Sequence, residues 1–230
     1  MGWRKDSPTT KAPPLTVEER MVDGTHDKAQ ALRRALLDRF SADDDLPGDP
    51  FDVPAAPRRQ MPWQDTLSRE EVKAATLTKT TTPGVDGITT RLFQACWDSI
   101  AEPVRLLFQA CLCTGHFPLP FRRAEVVMIQ KAGRDASKTG SWRPIALLSC
   151  LGKGLERLLA RRMSYLTILQ GVASPQQVGA LPGRSVVDLT TCLTHDIEAT
   201  LDKGLMATLV TMDVKGAFDS VLRNRLVVRL

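Results

Sequence analysis

Between Ser41 and Trp63 the chain meets proline five times, at Pro47, Pro50, Pro54, Pro57 and Pro62. Each ring removes a backbone donor and turns the preceding residue away from the helical region, so no helix or central strand can run through this stretch. It has linker composition, and regular structure is expected on either side of it. Ahead of it, residues 1–24 are rich in Pro, Thr and charge and read as a poorly ordered arm. Residues 25–40 place Ala31, Leu32, Ala35, Leu36, Leu37 and Phe40 at helical spacing, the pattern of one amphipathic helix. The expected division is a flexible, Pro-rich, charged arm with one helix over 1–67 and a folded domain over 68–230.

Order is expected to begin near Ser68. Ser68-Arg69-Glu70-Glu71 fits a capping box, opening a helix to about Lys79. Pro83-Gly84-Val85-Asp86-Gly87 is a turn signal, followed by a helical pattern through Leu92, Phe93, Cys96, Trp97 and Ile100. Pro103 is expected to restart that helix and Gly115 to stop it. Ala124 to Gln130 has the length of a strand, 140–144 reads as a loop, and Leu151 to Leu169 is a basic amphipathic helix. Pro182-Gly183 marks another loop, and Val187 to Leu201 another helix. Leu205 to Met212 reads as a strand, and a last helix begins in Ala217 to Leu230. Many helices and few strands make an α+β fold class.

Charge is uneven along this series. From Pro120 to Met163 ten basic residues face three acidic ones, a local net of +7 against +5 for the whole chain. A basic middle is the footprint of phosphate contact, and equally the composition of a solvated helix face. Cys96, Cys111, Cys113, Cys150 and Cys192 show neither paired C-x-x-C spacing nor matching histidines. They are expected to be reduced, buried thiols rather than a disulfide framework or zinc site. With 43% hydrophobic residues, no signal-type apolar start and no run near the roughly 18 residues of a membrane span, an intracellular location without membrane contact is expected.

Asp213 closes the apolar run of Leu205, Met206, Ala207, Leu209, Val210 and Met212. A carboxylate at the exit of a buried strand is costly unless paired, hydrogen-bonded or bound to a cation. Gly216 then permits a tight turn. Two readings fit: Asp213 caps the turn or the following helix, or it is a hard oxygen ligand for a divalent metal.

Four blocks in order resemble one family. Asp213-Val214-Lys215-Gly216-Ala217-Phe218-Asp219-Ser220-Val221 looks like motif A of LINE-type (non-LTR) retrotransposon reverse transcriptases. Pro83-Gly84-Val85-Asp86-Gly87-Ile88 resembles their PGxDGI block. Arg122 to Lys131, followed by Trp142-Arg143-Pro144-Ile145, resembles their "V..I.K … YRPIsLL" segment. Gln177-Val178-Gly179, then Pro182-Gly183-Arg184-Ser185 and Asp188, resembles "QfGFrpgrSt.d". The likeness covers about Pro83 to Leu230.

The resemblance implies a partial right-hand polymerase, fingers and the beginning of the palm, with RNA template, DNA primer and dNTP as partners and Mg²⁺ or Mn²⁺ as cofactor. Asp213 would bind the catalytic metals, and Phe218 would crowd a ribose 2′-hydroxyl. Lys131 and Arg143 would grip the triphosphate, while Pro83–Ile88, Arg184 and Ser185 would shape the template path or support the palm. Phe218 could also be an ordinary core Phe, Lys131 and Arg143 solvated charges, and Arg184 a surface residue.

Departures accompany the likeness. Ala180 stands where the family has Phe, Leu181 where it has Arg, and Gln130 where it has Pro. No Asp pair with hairpin flanks, the family's motif C, occurs in the sequence. Tyr165, the one tyrosine, lies in the basic helix, and Asp43-Asp44-Asp45 sit in the Pro-rich linker. The expectation is therefore a fragment inactive by itself. Its alternatives are a non-catalytic RNA-binding remnant and a group II intron-like reverse transcriptase fragment.

Overall fold

The computed structural model describes residues 12–38, 44–52, 62–78, 82–214, 217 and 221–229. In chain order its elements are β1 (Leu15–Val17), β2 (Arg20–Val22), α1 (Thr25–Leu36), α2 (Arg69–Thr76), α3 (Thr90–Thr114) and α4 (Leu119–Arg122). They continue with β3 (Glu125–Gln130), a 3₁₀ turn (Thr139–Ser141), β4 (Trp142–Leu147), α5 (Cys150–Leu169), α6 (Val186–Asp202) and α7 (Arg223–Arg229). Helix dominates, with two antiparallel two-stranded sheets, β1–β2 and β3–β4, so the α+β class read from the sequence holds at this level.

The chain divides into two units, one formed by 1–56, 124–147 and 216–230, the other by 57–123 and 148–215. In the first, β3 and β4 pair in register from Glu125↔Leu147 to Gln130↔Trp142. Pro144 lies opposite Met128; a two-stranded ribbon leaves each strand an edge, where a missing N–H is tolerated. Trp142 buries its ring with Leu15, Leu32 and Leu36, and its indole N–H donates to the Ala136 carbonyl at 3.0 Å. This cluster organises a stretch that composition assigned to a poorly ordered arm. Residues 15–22 form a hairpin, Leu15 is fully buried, and Thr16 N–H donates to Ser137 O at 2.8 Å. β4 likewise replaces the loop expected over 140–144, because Trp142 anchors it against α1.

The second unit is helical. Along α3 the residues Phe93, Trp97, Ala101, Val104, Phe108 and Cys111 recur at helical spacing and are all buried. This continuous stripe carries the helix through Pro103 without the expected restart; the ring denies Ser99 O its usual partner, but both halves share one core. Thr89 accepts the Leu92 N–H at the start, and Gly115, at φ 62°, ends the helix. Ser68 caps α2 by accepting Glu71 N–H, which is the forward half of the expected box.

Gly152 and Gly154 of α5 let Phe121 and Thr76 approach so closely that a Cβ would meet them at 3.0–3.1 Å. Gly84 is tighter still, since its Cβ would lie 2.7 Å from the backbone of Leu148 and Ser149. The Pro83–Ile88 turn is thereby fixed against the start of α5.

Two further expectations fail. Leu205 to Met212 has no strand geometry and is exposed throughout, with Met206 at 96% and Met212 at 93%. A strand requires a hydrogen-bonding neighbour, and no described strand lies alongside it. The cysteines are not uniformly buried: Cys111 and Cys150 are, whereas Cys96, Cys113 and Cys192 are exposed. Residues 62–68, ahead of α2, are hydrogen-bonded to α3 and α5. Gln109 accepts Leu67 N–H at 2.8 Å, and Arg162 donates to Thr66 O at 2.7 Å.

Candidate functional site

The ladder of β3 continues one residue past the strand, with Lys131 N–H donating to Ser141 O at 2.8 Å. Residues opposed in an antiparallel pair share a face, so Ile129 and Arg143 project together. Lys131, two residues after Ile129, falls on that face as well. The other face carries Met128 and Trp142 into the cluster with Leu15. The structure therefore brings Lys131 and Arg143 to one face at one end of the hairpin. Arg143 is exposed and Lys131 half-buried, its ammonium donating to Gly140 O at 2.7 Å.

The connecting loop adds Arg134 and Lys138. Its one acid, Asp135, accepts the Ser137 hydroxyl at 2.7 Å and the Ser137 N–H at 3.0 Å. Those bonds hold its carboxyl below the ordinary carboxylate range. The result is a predominantly cationic hairpin end, suited to an anionic ligand.

Asp213 lies in the second unit, exposed, at the end of the irregular stretch 205–214. Among the described residues no three His, Cys, Asp or Glu side chains gather in a way that could hold a metal ion. One carboxylate is a single hard ligand, not a centre. Phe218 lies outside the described residues.

Other motif residues have structural partners. Arg184 donates to the carbonyls of Pro175 at 2.9 Å and Ser174 at 3.2 Å, and to Gln177 O, clamping its own loop. Ser185 and Asp188 form a reciprocal capping box at the start of α6. In PGVDGI, Asp86 accepts Ile88 N–H at 3.1 Å, and Gly87 takes a positive φ of 66°.

The basic helix is partly committed inward. Lys153 donates to Thr82 O at 2.7 Å, Arg157 to Ala75 O, and Arg162 to both oxygens of Glu71 at 2.6 and 2.8 Å. The Glu71 carboxylate raises the Arg162 guanidinium further. Much of the local +7 thus ties the helices together, and the solvated part is concentrated at the hairpin end and at Arg123 and Arg161.

Sequence reasoning missed Asp45. Its carboxylate accepts the N–H groups of Asn224 at 2.9 Å and Arg225 at 3.1 Å at the start of α7. Partial burial pulls its carboxyl upward, but these bonds and that from Leu46 outweigh it and hold it low. The signal was its place in a run of three aspartates, which looked like linker.

The family described as reverse transcriptase (RNA-dependent DNA polymerase) matches residues 129–229. Residues 129–229 belong to the reverse transcriptase family. This reverse transcriptase segment opens on the face that carries Lys131 and Arg143 and includes Asp213 and α7. The Pol polyprotein of the type-1 retrotransposable element R1 from Bradysia coprophila is 33% identical over 140 residues, which is 60% of this chain and 14% of the relative. A probable RNA-directed DNA polymerase from transposon BS of Drosophila melanogaster is 30% identical over 158 residues, 69% of this chain and 17% of the relative. The RNA-directed DNA polymerase from mobile element jockey of Drosophila funebris is 28% identical over 205 residues, 86% of this chain and 22% of the relative. The chain thus spans less than a quarter of the length of these relatives. The likeness to non-LTR retrotransposon reverse transcriptases, read from four ordered blocks, stands.

Proposed function

We propose that this chain forms fingers and the opening of the palm in a right-hand RNA-directed DNA polymerase acting on RNA template, DNA primer and dNTP. Lys131 and Arg143 hold the triphosphate of the incoming nucleotide, Asp213 contributes one metal ligand, and Phe218 limits space at the ribose 2′ position. The observation that carries this reading is the juxtaposition of Lys131 and Arg143 on one face of the hairpin end. A point charge and a planar fork of donors suit a polyphosphate better than they suit each other.

For the metal, the fit is partial. Mg²⁺ is commonly held by one or two carboxylates together with substrate phosphates, and Asp213 supplies one. When bound, the ion would neutralise phosphate charge. The remaining chemistry rests with this chain's cations, which bind and orient the nucleotide.

Titrating the chain with a dNTP and following binding calorimetrically tests the assignment. Arg143→Ala and Lys131→Ala should each weaken binding about 10- to 100-fold, the worth of a charge-assisted hydrogen bond. Affinity unchanged in both variants rejects it. The single carboxylate favours a second reading, RNA binding without catalysis. Primer extension with Mg²⁺ or Mn²⁺ tests the second reading, which synthesis by this chain would exclude.

A further inference from the structure

Within the helical unit lies a cavity of about 420 Å³, lined by Trp63, Arg162, Tyr165, Leu166 and Leu169. Its rings are unusually available. Tyr165 is 64% exposed on α5, and Trp63, which also lines the cavity, is 37% exposed. Trp63 is nevertheless held rigidly. The Arg162 guanidinium sits 5.8 Å from its ring centroid while donating to Glu71 and to the carbonyls of Gln64 and Thr66. That network fixes the strap bearing Trp63 before any ligand arrives, so binding would cost little ordering.

Leu166 and Leu169 give the cavity an apolar floor. Arg161, one turn ahead of Tyr165 on α5, is exposed and is not part of the lining. Arg162 is balanced by Glu71, and Asp65 lies nearby, so net charge here is small. Recognition must therefore come from ring faces rather than from phosphate attraction.

Resting on the nucleic-acid function proposed above, we infer that this cavity takes an unstacked base of single-stranded RNA, held between Trp63 and Tyr165. Tyr165 falls within the reverse transcriptase match, on a helix of a nucleic-acid polymerase family. Every base offers a π face, so the contact would tolerate sequence.

The test uses the full chain and a fluorescently labelled single-stranded oligouridylate, with anisotropy followed over a salt series. Tyr165→Ala should weaken binding about 5- to 100-fold, the range of one base–aromatic stack. The slope of log affinity against log salt should stay unchanged, because no phosphate contact is lost. Tyr165→Phe keeps the ring and should bind within about twofold of the parent. Trp63→Phe should give an intermediate loss.

The inference is overturned if Tyr165→Ala binds as the parent does, which would leave the cavity to another segment of protein. It is also overturned if the loss comes with a shallower salt slope, or if Tyr165→Phe is as weak as Tyr165→Ala. If the parent binds no RNA, the nucleic-acid reading itself falls. If the parent binds and Tyr165→Ala matches it, only the cavity assignment falls.

Discussion

At the scale of single residues, Arg162 shows how a basic motif can serve architecture. Its fork satisfies Glu71, two carbonyls of the 62–68 strap and the face of Trp63 at once. A lysine retains the charge but cannot make the paired bonds. Arg162→Lys should lower unfolding free energy by about 2 kcal/mol in urea titrations, the cost of leaving part-buried acceptors unmet. No change would mean the strap is held instead by Gln109 and by Arg105, which donates to Leu67 O at 3.4 Å. Such residues were hard to read from sequence, where Arg162 was one of ten basic residues in a row of candidates. Gly84 was legible as part of a turn, but the reason for it, the backbone of Leu148 and Ser149 at 2.7 Å, is a long-range contact that spacing cannot reveal.

At the scale of elements, α3 carries an avoidable burden. Pro103 is exposed in mid-helix, so replacing it by alanine restores a hydrogen bond to Ser99 O without disturbing the buried stripe. Pro103→Ala should raise stability by about 1–3 kcal/mol, measured as a shift in the urea midpoint. A loss instead would show that the ring sets the angle at which both halves reach the core.

The docking of α7 should respond to acid. Asp45 has a folded pKa below its ordinary value of 3.8, so its contribution is fully present above that value. It is lost as pH falls through the lower folded value. Amide exchange at Asn224 and Arg225 should accelerate in that window, and Asp45→Asn should exchange faster already at neutral pH. Unchanged protection would assign the docking to Asn224 Nδ2, which donates to Leu46 O at 2.7 Å.

Helices with local punctuation, such as α2 from Ser68, α5 from its apolar spacing and α6 after the Pro182-Gly183 turn, were legible because their signals are written in neighbouring residues. β1, β2 and β4 were not. Their stability lies in the cluster of Leu15, Leu32, Leu36 and Trp142, drawn from segments far apart in the chain. The stretch 205–214 failed in the opposite direction, since β-prone composition is only an offer of pairing. For the site, the pairing of Lys131 with Arg143 became visible only with the register. The motif resemblance named both residues without saying why they meet.

At the scale of the whole molecule, α6 buries none of its residues, and Leu205 to Val214 is exposed beside it in sequence. This is a large apolar surface for one polypeptide to present to water, and such surfaces mark association or aggregation. The hairpin β3–β4 has a different consequence. Its first and last residues, Glu125 and Leu147, are register partners, so the hairpin closes on its own stem. The cationic end is thus an excursion through a closed stem, packed through Trp142 on Leu15, Leu32 and Leu36, and the helical unit is its host in sequence. Replacing residues 126–146 by two glycines should leave the host's helical circular dichroism and its cooperative melt intact while abolishing dNTP binding. A collapse of the helical signal would show the two are not separable. If they are, changes in nucleotide preference could accumulate on the hairpin without renegotiating the core that carries it.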